Sequence, residues 1–203
     1  EIQGCFQNRI LVGLGMVENG YYWVFPKSGH LSVGIGTMKR GVRSLPEVFF
    51  SSLSRHGIPL ESSSKYGYPL PVYAANQDIH TQRAFLVGDA AGLVDPLTGE
   101  GIRHALESGK MAAEAIRDGQ GHAYSTRIAG TLGRDLVWAG RFAGIFYGHQ
   151  RTCFSWLINN SLVFEDLLQI LAGGLTYKRA IARIPRYLLA HLAGRRRRVD
   201  ASH

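Results

Sequence analysis

Between Ala84 and Ile116 the chain carries a pattern that few folds accommodate. A short apolar run, Ala84-Phe85-Leu86-Val87, is closed by Gly88-Asp89 and followed by apolar residues at helical spacing. The run is too brief for a helix and is bounded by glycine, so it reads as a strand. Gly88 permits a tight turn, and Asp89 then projects a carboxylate from the strand's end. Ala90-Ala91-Gly92 is small enough for something large to approach the main chain. Thr98-Gly99-Glu100-Gly101 opens a helix in which Ile102, Ala105, Leu106, Gly109, Ala112, Ala113 and Ile116 recur at helical spacing. The free N–H groups of that first turn suit an anion or the electron-rich edge of a ring. A carboxylate at a strand end suits a sugar hydroxyl. An ordinary strand–turn–helix with a capping aspartate is the plainer reading, but it leaves Asp95-Pro96 and Gly99-Glu100-Gly101 without a purpose.

The stretch resembles the second dinucleotide motif of FAD-dependent oxidoreductases, and in detail it is similar to the geranylgeranyl reductase family. The elements that carry the likeness are Gly88-Asp89-Ala90-Ala91-Gly92, Asp95-Pro96-Leu97-Thr98-Gly99-Glu100-Gly101-Ile102, and Ser108-Gly109 followed by Ala112-Ala113-Glu114. The resemblance implies FAD as cofactor, held by Gly88, Asp89, Ala90, Gly92, Pro96, Gly99, Glu100, Gly101 and Ile102. Asp89 would take the ribityl or ribose hydroxyls, and Gly99 to Ile102 would offer amides to the pyrophosphate and the flavin's pyrimidine edge. Related aromatic hydroxylases usually carry His where this chain has Gly92, which argues against that branch.

At 203 residues and 45% hydrophobic, the chain can bury one substantial core. The first fingerprint of such flavoproteins, G-x-G-x-x-G after a strand, is absent. Gly13-Leu14-Gly15 and Gly34-Ile35-Gly36 lack the third glycine. The expectation is therefore a C-terminal fragment of a longer flavoenzyme, inactive by itself. Cys5 and Cys153 lie far apart and offer no disulfide framework, so a reducing compartment is expected. Histidines are scattered without ligand spacing, and no metal site is expected. No apolar run is long enough to span a bilayer.

Net charge is +8, and residues 177–198 account for it. They hold eight basic residues (Lys178, Arg179, Arg183, Arg186 and Arg195 to Arg198) and no acid, leaving 15 Lys and Arg elsewhere against 15 acids. On a helical wheel Lys178, Arg179, Arg183 and Arg186 share one arc, and Ile181, Ile184, Leu188 and Leu192 the other. Pro185 would bend or break the segment into two short helices. Such a basic amphipathic end suits an anionic membrane surface; a solvated helix packed on its own protein, with a disordered Arg tail, is the evenly matched alternative. No base-stacking motif accompanies the charge, so nucleic acid is not expected. The expected location is cytoplasmic, with a peripheral position on the membrane left open.

The expected fold is α+β. Residues 1–75 form part of an antiparallel substrate-binding sheet, 76–120 the returning strand–helix of the FAD domain, and 121–203 a helical region with a basic tail. Candidate strands are Arg9 to Met16, Tyr21 to Phe25 and Leu31 to Gly36, with turn chemistry at Glu18-Asn19-Gly20 and Lys27-Ser28-Gly29. Alternation puts Tyr21, Trp23 and Phe25 on one sheet face. A helix from about Leu45 to His56 is stopped by Gly57. Tyr66 to Pro71 reads as a last strand, Ala123 to Gln150 and Trp156 to Ala172 as helices. The run Tyr21-Tyr22-Trp23-Val24-Phe25-Pro26 again resembles the family's substrate-domain motif, which makes Tyr21, Trp23, Phe25, Pro26, Tyr66 and Tyr68 candidate substrate contacts. Plain sheet core is the alternative for the rings, and structural tyrosines for Tyr66 and Tyr68.

The resemblance implies saturation of carbon–carbon double bonds in a geranylgeranyl or other isoprenoid chain, with hydride from reduced flavin and electrons from NADPH or ferredoxin. The cofactor carries the hard step, consistent with the lack of a Ser/His/Asp or paired-carboxylate constellation. Tyr21, Tyr66, Tyr68 or water are equivalent candidates for proton donor. The alternatives are a flavin-dependent halogenase or monooxygenase, and a non-catalytic membrane-binding module. The halogenases' Trp-x-Trp-x-Ile-Pro motif is absent.

Overall fold

The computed structural model describes residues 9–187 apart from 40, 43, 56, 59–65 and 76. The described residues form two compact units. One comprises the chain up to Tyr68 with Tyr147–Arg151, and the other comprises Pro69–Phe146 and the chain from Thr152. The architecture is the expected mixture of a small antiparallel sheet and helices.

In the first unit the sheet has three strands, β1 (Leu11–Leu14), β2 (Gly20–Lys27) and β3 (His30–Thr37), in the order β1-β2-β3. Asn19 takes up a positive φ of 53° before β2, a conformation Asn tolerates, and Gly29 takes φ 83° between β2 and β3. Tyr21, Trp23 and Phe25 share one face as alternation requires, with ring centroids 5.9 Å and 6.3 Å apart along the row. They are half-buried, whereas Val24 on the opposite face is fully buried. Val24 packs with Leu53 and Ile58 to form this unit's core, joined by Leu11, Leu31, Val33 and Phe49. Leu53 comes from α1 (Leu45–Arg55), whose end is marked by Gly57 at φ 66°. Full burial of Val24 and Leu53 stabilises the unit by roughly 1.5–3 kcal/mol each.

The glycine pairs that fail as a dinucleotide fingerprint have a packing role here. Gly34 lies opposite Trp23 in the β2–β3 register, and a Cβ there would sit 2.1 Å from Trp23 Cζ2. Gly13 lies opposite Tyr22, and its Cβ would sit 1.8 Å from that ring. Each glycine gives up side-chain packing so that a cross-strand ring can lie flat on the sheet.

The second unit is mainly helical. Its helices are α2 (Ile102–Arg117), α3 (Tyr124–Ile128), α4 (Arg134–Gly148), α5 (Gln150–Ile158), α6 (Ser161–Leu171) and α7 (Tyr177–Ala182), with α4 and α5 spanning the boundary between units. The expected helix from Ala123 to Gln150 is interrupted by a π-helical turn, Ala129–Gly133. Tyr73 packs closely against this turn: a Cβ on Gly133 would sit 2.2 Å from its hydroxyl oxygen, so only glycine fits there. The expected helix from Trp156 to Ala172 is two helices, since Asn160 caps α6 by accepting a hydrogen bond from the Val163 amide. Helical backbone breaks at Arg183 and resumes at Ile184–Tyr187, so Pro185 falls in the first turn of a second helix, where its missing N–H costs nothing. Leu188, Leu192 and Arg195 to Arg198 lie outside the described residues. No helix of the described residues is long and apolar enough to cross a membrane.

Two expected strands do not form. Ala84 to Val87 contributes one isolated bridge, Phe85 to His80, and Val94 bridges Val72 in parallel. The Thr81 amide donates to Ala84 and the Leu86 amide to Ile79, which is a tight reversal rather than a ladder. Tyr66 to Pro71 is irregular, because Pro69 and Pro71 have no N–H to give a neighbouring strand. The buried face of α2 also differs from the apolar spacing. It consists of His104, Ser108, Ala112 and Ala115, while Ile102, Leu106 and Ile116 are 80%, 72% and 60% exposed. Small side chains let α2 pack closely on the core of Ile79, Ala91, Leu93, Ala112, Ala115, Tyr124, Ile128 and Leu136. Tyr124 sits fully buried in this core, its ring edge-on to Phe85 at 5.2 Å and its hydroxyl donating to the Leu86 carbonyl.

Candidate functional site

Val87 is extended and is followed by a single 3₁₀ turn, Gly88–Ala91. Gly88 has φ 53°, and a Cβ on it would lie 2.7 Å from the Ala105 Cβ of α2. Its amide donates to the hydroxyl of fully buried Ser108 at 2.9 Å, and that hydroxyl donates to the Ala105 carbonyl. Gly92, at φ 65°, closes the turn by donating its amide to the Asp89 carbonyl. The turn is thereby fixed to α2 through the Gly88 amide and the Ser108 hydroxyl, leaving the Asp89 side chain exposed. Its Oδ1 comes so near the start of α2 that a Cβ on Gly101 would be 2.9 Å away.

A second turn brings the chain from Val94 into α2. Asp95, almost wholly buried, accepts from the Leu97 and Thr98 amides through Oδ1 at 2.8 and 3.0 Å. Its own amide donates to the Glu100 carbonyl, and its carbonyl accepts from the Gly99 amide. This is the Asx-type turn that Asp readily forms. Its Oδ2 accepts from the Tyr177 hydroxyl of α7 at 2.8 Å. Burial, followed by the charge and hydrogen bond of Asp95, pushes the Tyr177 phenol far above the usual tyrosine range. Asp135 of α4 accepts from the Tyr177 amide at 2.9 Å, and burial raises its carboxyl above the ordinary value. At the start of α2, Glu100 Oε1 accepts from the Arg103 amide at 2.7 Å. Three of the donors expected to be free there, the amides of Gly99, Glu100 and Arg103, are therefore already engaged, by the Asp95 carbonyl, the Thr98 hydroxyl and the Glu100 carboxylate.

The two turns and α2 enclose a cleft of about 270 Å³ lined by Leu70, Asp89, Val94, Gly99, Gly101, Ile102 and Ala105. Complete small-molecule pockets run to roughly 300–1,000 Å³, so this cleft is slightly smaller than a complete pocket. Of the expected cofactor residues, Asp89, Gly99, Gly101 and Ile102 line it. Gly88 backs the first turn onto α2, Ala90 is exposed on that turn, and Gly92 ends it. Pro96 is buried and faces Gly140 of α4, and Glu100 turns back onto the helix it precedes. Tyr66 and Tyr68 are 79% and 78% exposed and do not line the cleft; Leu70 is the contribution of that segment. Tyr21, Trp23, Phe25 and Pro26 lie on β2 in the other unit.

Sequence reasoning missed Leu70, Val94 and Ala105 as lining residues and Asp95 as the organiser of the second turn. Asp95-Pro96 before Thr98-Gly99 is a turn signal that pointed to Asp95. Nothing local pointed to Tyr177.

The site thus combines an exposed carboxylate with a helix start at which a side chain on residue 101 has no room. No protein-family model matches the chain. It is 31% identical over 176 residues to an uncharacterized protein from Methanosarcina barkeri, covering 84% of this chain and 45% of that protein. It is 36% identical over 111 residues to the geranylgeranyl diphosphate reductase of Synechocystis, covering 53% of this chain and 27% of the relative. It is 32% identical over 121 residues to the menaquinone reductase of Mycolicibacterium smegmatis, covering 55% and 30% respectively. The chain thus spans less than half the length of these relatives. A crystal structure of a geranylgeranyl bacteriochlorophyll reductase-like protein from Thermoplasma acidophilum superposes with a TM-score of 0.55 at 27% identity, over 67% of this chain and 38% of that one. Sequence and fold agree that this chain is a relative of the geranylgeranyl reductases.

Proposed function

We propose that the protein to which this chain belongs is an FAD-dependent reductase that saturates carbon–carbon double bonds of an isoprenoid chain. The observation that carries this reading is the placement of the Asp89 carboxylate in a cleft with Gly99 and Gly101, where a Cβ at residue 101 would collide with it. Asp89 would accept hydrogen bonds from hydroxyls of the cofactor's sugar portion. Gly99 and Gly101 would let a planar ring approach the main chain. Glu100 already places a carboxylate against the Arg103 amide, so this helix start suits a neutral, electron-rich ring edge better than a phosphate. Bound flavin would supply the hydride. On the other unit, the half-buried row Tyr21, Trp23 and Phe25 offers the apolar contact and water exclusion that a prenyl chain needs. We assign the sheet-bearing unit to substrate and the unit around α2 to cofactor. Exposed Lys178, Arg179 and Arg186 suit an anionic lipid surface that would bring the enzyme to a lipid substrate, whereas Arg183 is paired with Asp166.

The test uses the full-length polypeptide. It should purify with flavin absorbance, and D89A should weaken FAD binding by about 10- to 150-fold, the loss of hydrogen bonds to a charged acceptor. Incubated with a reductant and a geranylgeranyl diphosphate, it should yield products heavier by pairs of hydrogens, which a halogenase or monooxygenase does not give. A colourless wild-type protein, or D89A that holds FAD as tightly, overturns the reading.

A further inference from the structure

The turn that precedes α2 is held from a distance. Asp95 Oδ1 accepts from the Leu97 and Thr98 amides and so shapes the five residues leading to Gly99. Its second oxygen accepts from the hydroxyl of Tyr177, 82 positions along the chain. Tyr177 is 2% exposed. Its amide is anchored by Asp135 at 2.9 Å, and its ring lies beside Phe142 with centroids 6.3 Å apart. A buried carboxylate is costly unless its lone pairs are met. The hydroxyl delivered by α7 therefore meets a carboxylate oxygen that the turn's own amides at Leu97 and Thr98 leave to it.

We propose that Tyr177 is a positioning residue for the cofactor site, holding Asp95 so that the turn presents Gly99 and Gly101 to the cleft. The claim rests on the flavin reading above for its functional consequence, but not for the structural one. The helical C-terminal region is then part of the cofactor site's support. Losing that hydroxyl releases the turn without touching any residue that lines the cleft.

The experiment compares wild type, Y177F and F142L in the full-length protein, by amide hydrogen exchange and by FAD titration. Y177F keeps the ring and removes the hydroxyl. The Leu97, Thr98 and Gly99 amides should lose protection while those in the middle of α2 keep theirs, and FAD affinity should fall about three- to tenfold. F142L, which loosens ring packing but leaves the hydroxyl, should lower the unfolding midpoint while leaving turn protection and FAD affinity near wild type. Wild-type turn protection and FAD affinity in Y177F overturn the inference, as does an equal effect from F142L. If wild type binds no FAD, the flavin reading fails, and the exchange comparison still decides whether Tyr177 holds the turn. If Y177F does not fold, the wild-type protein decides: Leu97 and Thr98 amides exchanging as fast as exposed-loop amides overturn the inference, and protection matching α7 supports it.

Discussion

Replacing Gly88 by alanine tests the close approach on which the Asp89 turn depends. Two costs can be read from the structure. Gly88 sits at φ 53°, and an L-residue forced into the left-handed region costs about 1–2 kcal/mol. The added methyl would meet the Ala105 Cβ at 2.7 Å and its Cα at 3.1 Å, and overpacking a close-packed contact costs about 1–3 kcal/mol. G88A should therefore lose about 2–5 kcal/mol, measured by urea unfolding of the full-length protein. The second term can be isolated, because it depends on the facing methyl. A105G alone should cost about 1 kcal/mol as a glycine in a helix interior. In G88A/A105G the clash with Cβ disappears while the backbone strain and the nearby Cα remain. The cycle should then show a favourable coupling of about 1–2 kcal/mol, within the range found for residues in contact. G88A within about 0.5 kcal/mol of wild type, the ordinary scatter of surface substitutions, would refute the reasoning. So would a cycle with no coupling, since the contact would then not limit the approach of the turn to α2.

Two further outcomes follow from other parts of the molecule. G34A should cost about 1–3 kcal/mol and shift tryptophan emission to the red, because its Cβ would fall 2.1 Å from the Trp23 ring; G36A, with Trp23 Cζ3 at 3.8 Å, should leave emission near wild type. Stability should decline as pH rises from about 10 to about 12. Burial and then the hydrogen bond and charge of Asp166 push the Tyr187 phenol up to about 12, so the folded state keeps its proton where an unfolded tyrosine near 10.0 has lost it. The phenols of Tyr73, Tyr124 and Tyr177 are raised as well and act with the same sign. Denaturant midpoints across that window should fall less steeply in Y187F, and an unchanged slope would remove Tyr187 from the account.

Local chemistry in the sequence determined the three strands, their turns, α1, the start of α2 and the carboxylate–glycine grouping of Asp89, Gly99 and Gly101. Each depends on residues a few positions apart: positive φ at Asn19 and Gly29, alternation from Tyr21 to Phe25, glycines on either side of a helix start. What lay across the fold was not legible. Ala84 to Val87 has strand composition, but a strand exists only where a neighbour supplies a ladder, and among the described residues it makes one isolated bridge, from Phe85 to His80. The α2 sequence offers two faces, one with Ile102, Leu106 and Ile116 and one with His104, Ser108, Ala112 and Ala115. Close packing onto the turn at Gly88 selected the second, because small side chains are what that gap admits. The bond from Tyr177 to Asp95 joins residues 82 apart, and neither carries a local sign of the other. Backbone preferences are set by near neighbours and can be read along a chain. Which face is buried, and which carboxylate meets which phenol, depends on the shape presented by distant segments, and only the folded structure brings those together.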